Sequence, residues 1–85
     1  MASYSLFLKP SAVKELEALP LAQRRRVVTR IRGLAAEPRP HGSEKLSAEE
    51  KYRVRLGTYR VLYAIDDKKH EVVVVKIAHR REAYR

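Results

Sequence analysis

The stretch Tyr52-Arg53-Val54-Arg55-Leu56-Gly57-Thr58-Tyr59-Arg60-Val61-Leu62-Tyr63-Ala64-Ile65 decides the fold. Two runs rich in β-branched and aromatic residues are separated by Gly plus one residue, the signature of a β-hairpin closed by a type II′ turn. With Gly57 and Thr58 as the loop, Leu56 pairs with Tyr59 and Arg55 with Arg60. Side chains alternate with period two along a strand. Tyr52, Val54, Leu56, Tyr59, Val61 and Tyr63 therefore share one face, and Arg53, Arg55 and Arg60 share the other. The first face suits a core and the second presents three guanidinium groups.

Working outward from the hairpin, Asp66 to His70 reads as a second turn and Glu71 to Ile77 as a third strand. Its four consecutive valines, 72–75, predict a central strand buried on both faces. Toward the N-terminus, Glu37 to Ser43 is a loop by composition. Before it, from about Leu21 to Ala36, Val27, Val28, Ile31, Leu34 and Ala35 form one helical stripe, with Arg24, Arg25, Thr29 and Arg32 largely outside it. A shorter helix precedes this one: Pro10 suits a first turn, Ala12, Val13, Leu16 and Leu19 recur at helical spacing, and Pro20 stops the run. Tyr4 to Leu8 reads as a strand. The order is β-α-α-β-β-β, an α+β domain spanning residues 1–85, with a helical hairpin packed on one face of a small antiparallel sheet.

Composition narrows the function classes. The 85 residues contain no Cys, which excludes disulfides and thiolate metal sites. The three histidines, His41, His70 and His79, make no pair at ligand spacing, and Asp66 with Asp67 reads as a solvated turn, so neither a metal nor a cofactor is expected. No apolar run is long enough to span a membrane, and Lys9-Pro10 interrupts the N-terminal apolar stretch before a signal peptide could form. A cytoplasmic protein is expected. Lys and Arg number 19 against 10 Asp and Glu, giving a formal charge of +9. The excess is concentrated in the C-terminal part of the chain, and Arg outnumbers Lys. Such a field favours polyanions or an acidic protein partner, and Arg adds planar, bidentate recognition of phosphate.

Arg55 opposite Arg60 breaks a local rule, because like charges paired across strands cost a few tenths to ~1 kcal/mol. Unrepaired violations mark candidate functional sites. Leu62 and Ala64 extend the arginine face with apolar groups, as the floor of a cleft would. A phosphodiester there would supply the missing counter-charge, and its more negative transition state would gain more. The final segment, Ile77 to Arg85, continues the third strand and adds candidates for the same cleft. Tyr84 could stack on a base, Arg80 and Arg81 could bind phosphate, and His79 carries an imidazole of the kind that serves as a general acid or base.

The strings YRVRLGTYRVLYAID (52–66) and VVVVKIAHRREAYR (72–85), with the preceding PRPHGSEKL (38–46), resemble the RelE/ParE toxin superfamily over nearly the whole chain. The resemblance implies a microbial ribonuclease-like fold. It further implies the toxin of a type II toxin–antitoxin pair, a metal-independent endoribonuclease that cuts mRNA in the ribosomal A site and so inhibits translation. The implied partners are a cognate antitoxin, in a toxin–antitoxin hetero-oligomer, and the ribosome with bound mRNA. By position, Arg53 and Arg55 match two basic residues of the family's first hairpin strand, and Arg60 an arginine of the second. Arg80 matches an arginine just past the last strand, with Arg81 the more distant choice, and Tyr84 a terminal tyrosine. The best-known RelE toxins carry Lys where this chain has Arg53 and Arg55. The implied reaction is attack of a ribose 2′-oxygen on the adjacent phosphorus. A guanidinium keeps its proton at every working pH, so arginine cannot take the 2′-proton. Arg53, Arg55 and Arg60 are therefore expected to position phosphate and stabilise the transition state, with Arg80 near the leaving group and Tyr84 orienting the nucleotide. Tyr84, His79 and a group outside the protein remain as proton acceptors. The same superfamily includes ParE-like toxins that inhibit DNA gyrase without nuclease activity, which is the alternative.

Overall fold

The computed structural model describes residues 3–46 and 50–79. The elements run β1 (Ser5–Leu8), α1 (Pro10–Glu17), α2 (Leu21–Ala36), β2 (Glu44–Lys45), β3 (Lys51–Leu56), β4 (Tyr59–Asp66) and β5 (Glu71–His79). The strands form one sheet in the order β1-β5-β4-β3-β2. The expected α+β architecture, with two helices against one face of the sheet, is the architecture observed. The pairing of the strands differs from the expectation in two details. The sheet is mixed, because β1 lies parallel to β5 with Ser5 opposite Glu71 and Leu8 opposite Val74. In addition, the short strand β2 pairs with β3, Glu44 opposite Arg53 and Lys45 opposite Tyr52.

The hairpin has the register its alternation dictates: Leu56 faces Tyr59, Arg55 faces Arg60 and Val54 faces Val61. Gly57 has φ +60° and Thr58 stays at negative φ, the asymmetry that distinguishes a type II′ turn from type I′. At the β4–β5 turn, His70 takes the left-handed conformation and the Asp66 carboxylate accepts the Lys69 amide at 3.0 Å. The valine run is central in the sheet, but it is not buried evenly. Val72 and Val74 are buried on the helix side, whereas Val73 and Val75 are half-buried. The register shifts between Leu62 and Tyr63, whose partners on β5 are Lys76 and Val74, so Val75 is an extra bulge residue.

The core lies between the helices and one face of the sheet. Ala12, Val27, Ile31 and Leu34 of the helices meet Tyr52, Val54, Val61, Tyr63, Ile65, Val72, Val74 and Ile77 of the strands. Polar clamps fix the layers. Glu15 of α1 accepts the Ile77 amide and Lys76 Nζ, both at 2.9 Å, which pins the helix to β5 just beyond the bulge. Arg24 donates to the carbonyls of Glu17 and Leu19 and so satisfies the end of α1. The buried Tyr63 hydroxyl donates to the Pro38 carbonyl at 2.6 Å. Arg39 reaches from the α2–β2 loop to Asp67 (2.8 Å), Glu50 (2.9 Å) and the Tyr52 hydroxyl (2.9 Å), tying loop, strand and turn together. Among the described residues no helix is long and apolar enough to cross a membrane.

Candidate functional site

The helices cover one face of the sheet; the odd-numbered side chains of β3 lie on the other, where Lys51 and Arg55 are exposed and Arg53 is half-buried. Arg53 and Arg55 stand two residues apart on β3, and Arg60 lies directly across from Arg55 on β4. The three predicted arginines are thus brought together by the hairpin alone. Their environments differ. The Arg55 side chain is 55% exposed and that of Arg53 is 20% exposed. Arg60 as a whole residue is only 3% exposed, although it points away from the hydrophobic core. Burial on that scale fixes a guanidinium in place, and a fixed charge stabilises developing negative charge without reorganising. Arg53 uses one terminal nitrogen on Glu44 and keeps its Nε buried without a hydrogen-bond partner among the described residues. Such a donor has capacity left for an oxygen ligand.

Glu44 was not among the residues that sequence reasoning selected. As the cross-strand neighbour of Arg53, it places its carboxylate 3.0 Å from Arg53 and 3.6 Å from Arg55. A two-residue strand has no periodicity to read, so β2 was seen only as part of a loop. The one signal available was an acidic residue shortly before the arginine-bearing strand.

His79 does not join the arginines. It pairs with Tyr59 across β4–β5, and the two rings meet edge-on with centroids 5.6 Å apart. Both line a cavity on the helix side of the sheet with Glu15, Ala18, Leu19, Pro20 and Ile77. The sheet itself therefore separates the His79 imidazole from the arginine face, because residues paired with the inward-facing Tyr59 point inward too. Arg80, Arg81 and Tyr84 lie outside the described residues. The acids of the β4–β5 turn have structural partners. Asp67 accepts from Arg39 and from the Tyr4 hydroxyl, and these hydrogen bonds hold its carboxyl down at about 2. Glu50 is likewise lowered, first by the Tyr52 hydroxyl and then by Arg39.

Comparison with known proteins places this geometry in context. Residues 6–84 match the family model for the ParE toxin of the type II toxin–antitoxin system parDE. The chain is 33% identical to a toxin RelE of Mycobacterium tuberculosis over 84 residues, which cover 96% of this chain and 87% of that protein. It is 47% identical to toxin RelG of the same organism over 34 residues, 40% of this chain and 39% of that protein. The crystal structure of the M. tuberculosis toxin–antitoxin complex RelBE2 contains a chain that superposes with a TM-score of 0.80 at 32% identity. The match covers 92% of this chain and 99% of that one.

Proposed function

Because this chain belongs to the RelE/ParE superfamily of type II toxin–antitoxin toxins, we propose that it is a ribosome-dependent endoribonuclease, cutting mRNA in the A site from the arginine face of its sheet. The observation that carries this reading is the pairing of Arg55 with Arg60, one exposed and one buried, with Arg53 beside them on the same face. Glu44 answers part of the charge of Arg53 and Arg55, and a phosphodiester reaching the same face adds a further anion for the three guanidinium groups. A phosphodiester supplies one negative charge, and the pentacoordinate transition state concentrates more on the same oxygens. Arg60, held by burial, and Arg53, with an unused donor, stabilise the second state more than the first. Arg55, the most exposed, collects the backbone. Arg80 and Arg81, just past β5, are proposed to extend the phosphate contacts and Tyr84 to stack on the reacting nucleotide. His79, on the other face, is given no part in RNA binding.

The partners follow from the same reading. A cognate antitoxin is supported by the antitoxin-bound state of the superposed M. tuberculosis chain. The ribosome with its mRNA is the proposed target, with the cytoplasm as the place of action, and the reaction requires no metal. Primer extension on a defined mRNA, incubated with the protein in a translation reaction with ribosomes and in one lacking them, tests the proposal. New 3′ ends within A-site codons, absent without ribosomes, are the expected result. Intact mRNA in both reactions favours the gyrase-inhibitor reading that the match to the ParE model keeps in view, and a DNA supercoiling assay then decides it.

A further inference from the structure

Phe7 is left 48% exposed on the edge strand β1, although its neighbours Leu6 and Leu8 pack against the core. Alternation turns its ring to the opposite face of the sheet, the face that carries the arginines. The register is continuous across four strands there. Phe7 of β1 stands opposite Val73 of β5, Val73 opposite Ala64 of β4, and Ala64 opposite Lys51 of β3. Val73 and Ala64 are half-buried, as is Leu62, which lies opposite Arg53 one step nearer the other arginines. An apolar strip thus begins where the cations end, and Phe7 closes it on the β1 side. A lone exposed apolar side chain needs no explanation, but this one continues a registered apolar row on the face given to RNA.

The cations define how a strand of RNA would cross this strip. Lys51, Arg53 and Arg55 recur at every second residue of β3, ~6.8 Å apart. An extended strand whose scissile phosphate sits at Arg53, Arg55 and Arg60 can therefore lay its adjoining phosphate at Lys51. From Lys51 to Phe7 the row crosses three strand spacings, or ~14 Å, room for one base pointing inward from that phosphate. The strip suits a base and not a phosphate: it holds no cation, and the next row, Ser5–Glu71–Asp66, sets two carboxylates at its border. A second copy of this chain fits less well, because its +9 charge meets a face of the same sign. We propose that Phe7, with Val73 and Ala64 as the floor, is a base-stacking subsite for the nucleotide adjoining the cleaved bond, whose phosphate rests on Lys51. The subsite rests on the ribonuclease reading and extends it to substrate positioning. Every base has a π-face, so the contact grips mRNA of any sequence, and a neutral contact is not weakened by salt.

The test is equilibrium binding to a short single-stranded 2′-O-methyl RNA with a fluorescent end label, which cannot be cleaved, followed by anisotropy at low salt. Wild type is compared with Phe7→Ala and Phe7→Trp after thermal melts show that each is folded. Phe7→Ala is expected to bind roughly 5- to 100-fold more weakly with an unchanged log–log salt slope, and Phe7→Trp within about threefold of wild type. On an abasic strand of the same length, wild type and Phe7→Ala are expected to bind alike. Lys51→Ala should instead flatten the salt slope by about 0.7, the share of one phosphate on a single strand. Equal binding of wild type and Phe7→Ala to the base-bearing strand overturns the subsite. So does a loss that persists on the abasic strand, a Phe7→Trp protein as weak as Phe7→Ala, or a wild-type protein that does not bind. An unchanged slope for Lys51→Ala overturns the strand path across the strip. A wild-type dimer in sedimentation that Phe7→Ala dissolves, with RNA binding unaffected, reassigns the strip to a contact between copies. Failure of the ribonuclease reading shows separately, as intact mRNA in the primer-extension reactions whatever the oligonucleotide does.

Discussion

Asp67 shows how a single surface turn can carry a pH-dependent share of the fold. Its carboxylate takes both terminal nitrogens of Arg39, at 3.2 and 2.8 Å, and the Tyr4 hydroxyl at 2.7 Å. Arg39 also lies over the Tyr52 ring, 5.1 Å from its centroid, so the cluster joins the N-terminus, the α2–β2 loop, β3 and the β4–β5 turn. Asp67 sits at about 2 in the folded protein, chiefly through Arg39, against a reference near 3.9 in an unfolded chain. A carboxyl depressed by folding contributes stability above its unfolded value and loses that contribution as pH falls through the folded one. Asp67→Asn is therefore expected to melt below wild type at pH 7, with the gap closing between about pH 4 and pH 2. Melts recorded across that range check it, and a gap that does not change with pH contradicts the role given to the Arg39 pair. At this scale the arginines were legible in advance, because strand alternation fixes their side of the sheet. Glu44 was not, since nothing in the sequence set the pairing partner of Arg53.

Among the elements, the hairpin is the one whose geometry the residues determine most completely. Gly57 permits the turn, and alternation on either side of it sets which side chains face the helices. The parallel pairing of β1 with β5 was less readable, because a four-residue apolar strand carries no information about direction or neighbour. The bulge at Val75 was hidden for a related reason: four identical valines look the same in either register. Helix α2 offers a test at this scale. Gly33 lies inside it, exposed in a groove with Arg26, Thr29, Arg30 and Leu56, and a Cβ built there meets nothing within 4 Å. Glycine in a helix interior costs roughly 0.5–1 kcal/mol relative to alanine. Gly33→Ala is thus expected to stabilise the free protein by about that amount in urea denaturation. A destabilised variant would mean that the groove is more tightly filled than the structure shows.

At the scale of the molecule, the chain carries a charge of +9 and the two faces of its sheet divide the labour. The helix-covered face holds the core, and the opposite face holds Arg53, Arg55 and Arg60. Association with a ribosome should weaken steeply with salt, because each neutralised phosphate releases counterions. Arg55, exposed and outside the core, should contribute one such contact. Arg55→Ala is expected to flatten the log–log salt dependence of ribosome binding by about one unit without altering the melting temperature. An unchanged slope would remove Arg55 from the binding surface. The central claim is that the arginine face performs the cleavage, and its most direct test is the single-turnover cleavage rate of Arg60→Ala on ribosome-bound mRNA. Because Arg60 is buried, circular dichroism and a thermal melt must first show that the variant is folded. A folded Arg60→Ala protein that still associates with ribosomes but cleaves at least ~10²-fold more slowly is the predicted result. Near-normal cleavage by that folded variant would contradict the account.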